Sequence, residues 1–255
     1  MSLEFNIVIA TNSHILNNKI NLQMNDTNKV EINNNLFNGS YETSLINPNI
    51  KEYPHFEPKI RIAILASGTG SNFEYIIKSI EEKTLNAEII ILIVNNPNCL
   101  AIKKAIKYNI PYVIINHRDC SSRLEHDKLI INKLKEHQIE LVVMAGWMRI
   151  VGEKLINTYL DRLINIHPSL LPSFKGVDAI QQAIDNKVTI TGCTVHYVKK
   201  EVDSGSIIIQ AAVPLNLHDN KDILKNRIQT MEHKILPLAI AMVAKKIRTK
   251  FKDKK

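Results

Sequence analysis

The segment Arg61-Ile-Ala-Ile-Leu-Ala66-Ser-Gly-Thr-Gly70-Ser-Asn72 joins an apolar run to a glycine-rich turn. The five apolar residues after Arg61 are typical of a strand that is buried on both faces of a sheet. The glycines allow a tight turn, and residues 73–82 then repeat apolar side chains at helical spacing. The segment therefore predicts one strand–turn–helix unit of an α/β fold.

The same alternation continues along the chain after this unit. Further strands are predicted at residues 88–94, 112–115, 141–145 and 163–166, and further helices at residues 100–108, 121–137 and 153–160. Strands that alternate with helices of this length form β-α-β units, whose strands run parallel. The sequence thus predicts an α/β fold with a Rossmann-like, mainly parallel sheet and helices on both of its faces.

The pattern changes after Pro172. A helix is predicted near residues 177–186, and strands at residues 193–198 and 206–214 are joined by a short turn. We therefore expect an antiparallel C-terminal strand pair. A long helix from residue 221 to about residue 246 closes the fold, and Pro237 is expected to kink it.

Residues 1–58 differ in composition from the remainder. They contain runs such as Asn33-Asn34-Asn35, no arginine and no sustained periodicity. Neither kind of targeting signal is predicted here. A secretory signal would need a basic start and a longer apolar run than Phe5–Ala10, and a transit peptide would be rich in arginine. Apart from weak strand-like pieces such as Lys29–Ile32, we expect a poorly ordered extension over residues 1–58 and one folded domain over residues 59–255.

Composition narrows the class of protein. Hydrophobic residues make up 45% of the 255 positions, which is typical of a soluble domain, and no run of about 18 apolar residues predicts a membrane helix or a membrane partner. Cys99, Cys120 and Cys193 form no C-x-x-C pair, which favours a cytoplasmic protein without a metal site. The net charge is +8, but no basic stripe is interleaved with aromatic residues. We therefore expect small-molecule partners and no nucleic acid.

The glycine-rich turn is the first candidate binding site. The backbone amides of Gly70, Ser71 and Asn72 lie where a helix begins, which favours an anion such as phosphate. A dinucleotide is disfavoured because Phe73 replaces the third glycine and the next strand ends in Val94-Asn95-Asn96, without an acid for a ribose. A monophosphate site is favoured, and a tight turn without a ligand is the alternative.

The run from Leu163 to Pro172 is the second candidate site. Asn165 and His167 lie two apart on a predicted strand, so their side chains share one face at its carboxyl end. An amide can stabilise an oxyanion and an imidazole can move a proton, as acyl transfer requires. Asp203, in the turn Val202-Asp-Ser-Gly205, is either a local turn residue or a partner that favours the His167 imidazolium.

The segment Met144-Ala-Gly-Trp-Met-Arg-Ile-Val151 is the third candidate site, because it follows the carboxyl end of a strand. Its apolar side chains could line a slot for a flat ring, with Arg149 available for an anion, or could be core packing. A serine hydrolase is disfavoured because no G-x-S-x-G elbow precedes a helix.

Four segments together resemble the phosphoribosylglycinamide formyltransferase family: Leu163–Pro172, Gly192–Val198, Val202–Gly205 and Glu232-His233. The likeness extends from Arg61 to about Lys246. It implies the formyltransferase fold and transfer of a formyl group from 10-formyltetrahydrofolate to the amine of glycinamide ribonucleotide, in purine biosynthesis. No metal cluster is evident in the sequence, so we expect a metal-free reaction, and we expect a monomer or homodimer.

The resemblance also implies roles for individual residues. Gly70, Ser71 and Asn72 match the loop that holds the ribonucleotide phosphate, and Glu232 matches a residue at its sugar or amine. The folate site corresponds to Arg123, Met148, Arg149, Ile150, Val151 and Asn165. Asn165 and His167 match the catalytic pair, and Asp203 matches the carboxylate that keeps the histidine protonated. The sequence departs from the pattern at Asp178 and Ile180, where relatives often have histidines.

Three other functions are weighed against this one. Formyltetrahydrofolate deformylase shares the Asn-x-His and Asp-x-Gly residues, but it normally carries a regulatory domain and tends to have a histidine where Pro168 stands. Methionyl-tRNA formyltransferase would need a further C-terminal domain. A non-catalytic phosphate- or folate-binding protein would be expected to lack Asn165, His167 or Asp203, and all three are present.

Overall fold

In a computed structural model of the chain, residues 4–11, 14–21 and 45–252 are described. The chain divides into two units, Met1–Glu42 and Thr43–Lys255. In the first unit, β1 (Glu4–Thr11) and β2 (His14–Asn21) pair as an antiparallel hairpin. Residues 22–44 of the predicted extension, with the strand-like piece Lys29–Ile32, lie outside the described residues.

The second unit contains a sheet of eight strands in the order β3-β10-β9-β8-β7-β4-β5-β6. The strands are β3 (Leu45–Asn47), β4 (Ile60–Ala66), β5 (Ala87–Val94), β6 (Tyr112–Ile114), β7 (Leu141–Met144), β8 (Leu163–His167), β9 (Ile190–Tyr197) and β10 (Ile207–Pro214). Strands β4 to β8 pair in parallel, whereas β9, β10 and β3 pair antiparallel. The predicted mainly parallel sheet and its antiparallel C-terminal pair are confirmed.

Six α-helices and one short 3-10 helix (His117–Asp119) accompany this sheet in the described part of the chain. The α-helices are α1 (Ser71–Glu81), α2 (Ala101–Lys107), α3 (Arg123–Glu136), α4 (Glu153–Thr158), α5 (Ala179–Asp185) and α6 (Lys221–Lys252). Alternate residues of β4 belong to different buried clusters: Ile62 and Ile64 pack with α1 and α6, whereas Ala63 and Leu65 pack with α3 and α4. Helices therefore cover both faces of the sheet, as predicted.

Two boundaries differ from those that the sequence suggested. Strand β3, which precedes the predicted first strand, pairs with β10 and so belongs to this sheet. Helix α6 contains Pro237 and continues to Lys252, beyond the predicted end near residue 246. Its last turns are held by Arg248, which donates to Glu140 and to the carbonyls of Pro58 and Lys59.

The order of the strands determines where a ligand can bind. The chain passes from β4 to β5 and β6 on one side, and returns to β7 on the other side of β4. In such sheets a crevice opens at the carboxyl ends of the two strands where the direction changes. The turn after β4, the segment after β7 and the end of β8 all lie at this edge. Among the described helices, none is both long and apolar enough to cross a membrane.

Candidate active site

The carboxyl end of β8 brings together the first group of predicted site residues. Strand β8 pairs in parallel with β7 and antiparallel with β9, so Asn165 lies opposite His196 and His167 opposite Thr194. Directly opposed residues in an antiparallel pair project from the same face. His196 therefore joins Asn165 and His167 on one surface of the sheet.

The His167 ring is buried and has an oxygen near each of its nitrogens. Nδ1 lies 3.3 Å from Oδ2 of Asp203, and Nε2 lies 2.8 Å from the carbonyl oxygen of Phe174. A carboxylate and a carbonyl can only accept hydrogen bonds, so a ring protonated on both nitrogens satisfies both contacts. The structure thus brings Asp203 and His167 together, which is one of the two alternatives that the sequence left open for Asp203, and this geometry suits a proton donor.

Asp203 is placed by an unusual turn conformation. Its φ is 48°, in the left-handed region, and the Gly176 N–H donates to its Oδ2 at 2.9 Å. Burial of the carboxyl would raise its pKa, but hydrogen bonding to His196 and Gly176, with the charges of both histidines, lowers the pKa below its usual value. The carboxylate is therefore held ionised beside His167.

His196 is a residue that the sequence reasoning did not single out. Its Nε2 lies 3.2 Å from Nδ2 of Asn165 and 3.6 Å from Oδ1 of Asp203, and its ring is 2% exposed. It thus connects the amide on β8 with the carboxylate of the turn after β9. The signal was its position on a strand that pairs with β8, and this could be used only once the register between the two strands was known.

The glycine-rich turn forms the second group. Gly70 has a φ of 70° and precedes α1, and a Cβ added to it would lie 2.8 Å from the Cβ of Ala101. The amides of Ser71 and Asn72 lie in the first turn of the helix, where backbone N–H groups have no partner within the helix. This is the local geometry that binds phosphate at a helix start.

Asn72 and Glu232 meet beside this helix start. Nδ2 of Asn72 donates to Oε2 of Glu232 at 2.8 Å, and both side chains are buried. The Oδ1 of Asn72 is buried without a partner among the described residues. Burial raises the pKa of Glu232, although Asn72 and Lys225 act in the opposite direction. The pair presents one unused acceptor and one carboxyl next to the candidate phosphate site.

A stacked ring pair holds α6 against α1 at the same place. The rings of Tyr75 and His233 are parallel to within 10°, with centroids 3.7 Å apart. Burial, with the nearby charges of Lys104 and Lys78, lowers the pKa of His233 to about 4. A neutral His233 therefore stacks on Tyr75 near neutral pH, next to Glu232 in the chain, and the sequence did not reveal this contact.

The segment after β7 is divided between surface and core. Met148 and Ile150 are 77% and 52% exposed, whereas Trp147 and Val151 are buried in the cluster that covers one face of the sheet. The N–H of Met148 donates to Oγ of Ser67 at 2.9 Å, which ties the segment to the turn after β4. This segment therefore combines both alternatives: two of its side chains form an apolar surface, and two pack in the core.

The remaining predicted residues lie around this segment and the loop before α5. Arg149 is exposed. Arg123 is the first residue of α3 and lies near Gly152, since a Cβ added to Gly152 would be 3.9 Å from the Cδ of Arg123. Asp178 precedes α5 and forms an ion pair with Lys221 at 2.7 Å, while Ile180 packs against the core. In the described residues, no group of three or more His, Cys, Asp or Glu side chains is arranged to hold a metal ion.

Comparison with known proteins agrees with this arrangement. A family model described as formyl transferase matches residues 60–240. The phosphoribosylglycinamide formyltransferase of Bacillus subtilis (strain 168) is 38% identical over 180 residues, which are 71% of this chain and 92% of that relative. The trifunctional purine biosynthetic protein adenosine-3 of Homo sapiens is 43% identical over 201 residues, or 78% of this chain and 20% of that protein. The chain thus spans about a fifth of the length of the trifunctional relatives.

Solved structures give the same result. The crystal structure of phosphoribosylglycinamide formyltransferase from Bacillus halodurans has a TM-score of 0.70 at 39% identity, over 72% of this chain and 94% of that chain. The glycinamide ribonucleotide transformylase 1 of Geobacillus kaustophilus has a TM-score of 0.71 at 36% identity, over 73% of this chain and 100% of that chain. The resemblance seen in the residues is confirmed, and the chain belongs to the formyl transferase family.

Proposed function

We propose that the chain transfers the formyl group of 10-formyltetrahydrofolate to the amine of glycinamide ribonucleotide, in purine biosynthesis. The observation on which this proposal rests is the buried His167 ring, held between Asp203 and the Phe174 carbonyl beside Asn165. Formyl transfer to an amine needs a donor for the oxyanion and a proton for the leaving nitrogen. A doubly protonated imidazole next to an amide can supply both.

The ribonucleotide would bind between the glycine-rich turn and α6. The amides of Gly70, Ser71 and Asn72 suit its phosphate, since they combine free N–H groups with the positive end of the α1 dipole. Glu232 is adjacent through Asn72 and can accept from the ribose hydroxyls or the glycinamide amine. Asn72 belongs to the helix start and also donates to Glu232, which supports one extended ligand rather than two.

The folate would bind along the segment after β7. The exposed Met148 and Ile150 offer apolar surface to the flat pterin, and Arg149 and Arg123 offer positive charge to its glutamate end. Asn165 is paired with Met144, where this segment begins, because β7 and β8 are neighbours. The formyl group would then lie between the two substrate sites.

The reaction follows from these positions. The glycinamide nitrogen attacks the formyl carbon, and the carbonyl oxygen becomes an oxyanion that accepts from His167 and from the Asn165 amide. The oxyanion replaces the Phe174 carbonyl as the acceptor on Nε2, so the ring keeps both protons while Asp203 balances its charge. The carbon–N10 bond then breaks, His167 gives a ring proton to N10 of the folate, and the proton lost by the attacking amine restores the doubly protonated ring.

His167→Asn tests the proposal, with His218→Asn as the control because His218 is an exposed histidine. Loss of one oxyanion donor costs about 10²–10³ in rate, so we expect a fall of that size for His167→Asn and none for the control. Each protein is incubated with formyl-folate in the presence and absence of glycinamide ribonucleotide. Folate release that does not need the ribonucleotide would instead identify a deformylase, and near-normal transfer by folded His167→Asn would contradict the proposal.

A further inference from the structure

Asp127 is a buried carboxyl that has no role in the steps above. It lies on α3 and is 1% exposed, and its Oδ2 accepts from the backbone N–H of Gly152 at 2.6 Å. Burial raises the pKa of this carboxyl, although the hydrogen bond and the charges of His126 and Arg123 act in the opposite direction. Burying a carboxyl is costly, and one that makes a specific contact with a distant segment is a candidate for a functional role.

Gly152 is the partner in that contact and lies where the segment after β7 ends and α4 begins. A Cβ added to Gly152 would collide with Oδ2 of Asp127, so the absence of a side chain allows the close approach. The Gly152 carbonyl accepts from the N–H of Leu155 at 3.1 Å. The backbone at the end of the segment is therefore held on one side by α3 and on the other by α4.

Helix α3 also contacts the interior of the same segment. The ring of His126 is 5% exposed and is parallel to within 13° with that of Trp147, with centroids 6.0 Å apart. The exposed Met148 and Ile150 lie in the chain between Trp147 and Gly152. The part of the segment that faces solvent is thus bounded at both ends by residues that α3 holds.

We propose that Asp127 is a positioning residue for the folate, which acts by fixing the segment after β7 in the conformation that receives the pterin. A segment that is already ordered binds its ligand without the entropy cost of ordering it. The ribonucleotide site is built from the turn after β4 and from α6, so Asp127 acts on one substrate and not on the other. The inference rests on the proposed function and deepens it by naming the group that prepares the donor site.

The test compares Asp127→Ala, which removes the acceptor, with Asp127→Asn, which retains an oxygen that can accept from Gly152. The loss of one hydrogen bond to a charged group corresponds to about tenfold in affinity at the lower end of its usual contribution. We expect Asp127→Ala to raise the folate KM about tenfold, with the ribonucleotide KM and kcat within about twofold of the unmodified values. Asp127→Asn should restore the folate KM to within about threefold.

Leu134→Ala is the matched control, because Leu134 is fully buried on α3 about two helical turns after Asp127. It destabilises the protein by leaving a cavity but keeps the hydrogen bond, so its folate KM should not change. Gly152→Ala displaces the carboxyl from the other side and should raise the folate KM as Asp127→Ala does, which keeps the test open if Asp127→Ala does not fold. An equal rise in Leu134→Ala, or an unchanged folate KM in folded Asp127→Ala or Gly152→Ala, would overturn the inference.

Trp147, the single tryptophan, reports on the segment without any reaction. It is 6% exposed, so acrylamide should quench its fluorescence weakly in the unmodified protein and in Leu134→Ala, and more strongly in Asp127→Ala. The same fluorescence measures the Kd for formyl-folate. If the protein transfers no formyl group, a Kd about tenfold higher in Asp127→Ala would still support the positioning role, and an equal Kd would refute it whatever the reaction.

Discussion

Replacing Asp203 with asparagine separates the charge of this carboxylate from its shape. Asp203 has a φ of 48°, a left-handed conformation that asparagine tolerates better than most residues with a side chain. The variant also retains an oxygen that can accept from the Gly176 N–H. A change in rate would therefore report the lost negative charge beside His167 rather than a distorted turn.

The geometry sets the expected size of the effect. Oδ2 of Asp203 lies 3.3 Å from Nδ1 of His167, and at an effective dielectric constant of about 20 two unit charges at that separation attract by about 5 kcal/mol. Desolvation offsets most of this attraction, so hydrogen bonds to charged groups contribute a net of about 1.5–3 kcal/mol. Since about 1.4 kcal/mol changes a rate tenfold, kcat should fall about 10- to 150-fold.

The assay follows the change in folate absorbance during formyl transfer at saturating ribonucleotide, and urea unfolding measures the stability of each protein. Asp178→Asn is the matched control, because Asp178 also has a left-handed φ, of 57°, and an ion pair, with Lys221 on the surface. The control should keep its kcat. A kcat for Asp203→Asn within about threefold of the unmodified value, in a normally folded variant, would refute the reasoning.

Three further substitutions test other parts of the site. Gly70→Ala places a Cβ at a φ of 70° and 2.8 Å from the Cβ of Ala101, so the ribonucleotide KM should rise about tenfold and the folate KM much less, in steady-state kinetics. His196→Asn should lower kcat about tenfold. It should also move the acid limb of the pH–rate profile to higher pH, because Asp203 loses a partner that lowers its pKa. An unchanged profile would show that His196 contributes packing alone and does not act on Asp203. The third substitution is Glu232→Gln. The pKa of Glu232 is higher in the folded protein than its ordinary value of 4.5 in the unfolded chain, so ionisation of Glu232 destabilises the folded state as the pH rises above 4.5. The variant should therefore unfold at higher urea than the unmodified protein near neutral pH, lose this gain at about pH 4, and bind the ribonucleotide more weakly.

The strands and helices after residue 60 were predictable because each carries its own periodicity. Strand β4 is apolar at every position after Arg61 because both of its faces are covered by helices. The end of α6 was not predictable in this way. Its last turns depend on contacts of Arg248 with Glu140 and with carbonyls of the segment before β4, which are distant in the sequence. Strand β3 likewise depends on its pairing with β10.

The parts of the candidate site that lie on one strand were predictable from the sequence, and the parts that depend on contacts between distant segments were not. Asn165 and His167 could be paired from sequence because two residues on one strand share a face whatever the tertiary fold. His196 could not be added to them, because its place opposite Asn165 depends on β8 being the strand where the sheet changes from parallel to antiparallel pairing. The stack of His233 on Tyr75 similarly depends on how α6 packs against α1.

The two carboxyl groups of the site, Asp203 and Glu232, have opposite environments, and this explains how one cleft can hold both. Asp203 faces two histidines and a backbone N–H, and these outweigh its burial and lower its pKa. Glu232 is buried with the neutral Asn72 amide as its hydrogen-bond partner, so burial dominates and raises its pKa. As pH falls, Glu232 therefore takes up a proton before Asp203 does. In the proposed transfer step, Asp203 is therefore the carboxylate that balances the charge on His167, because it stays ionised at pH values where Glu232 is already neutral.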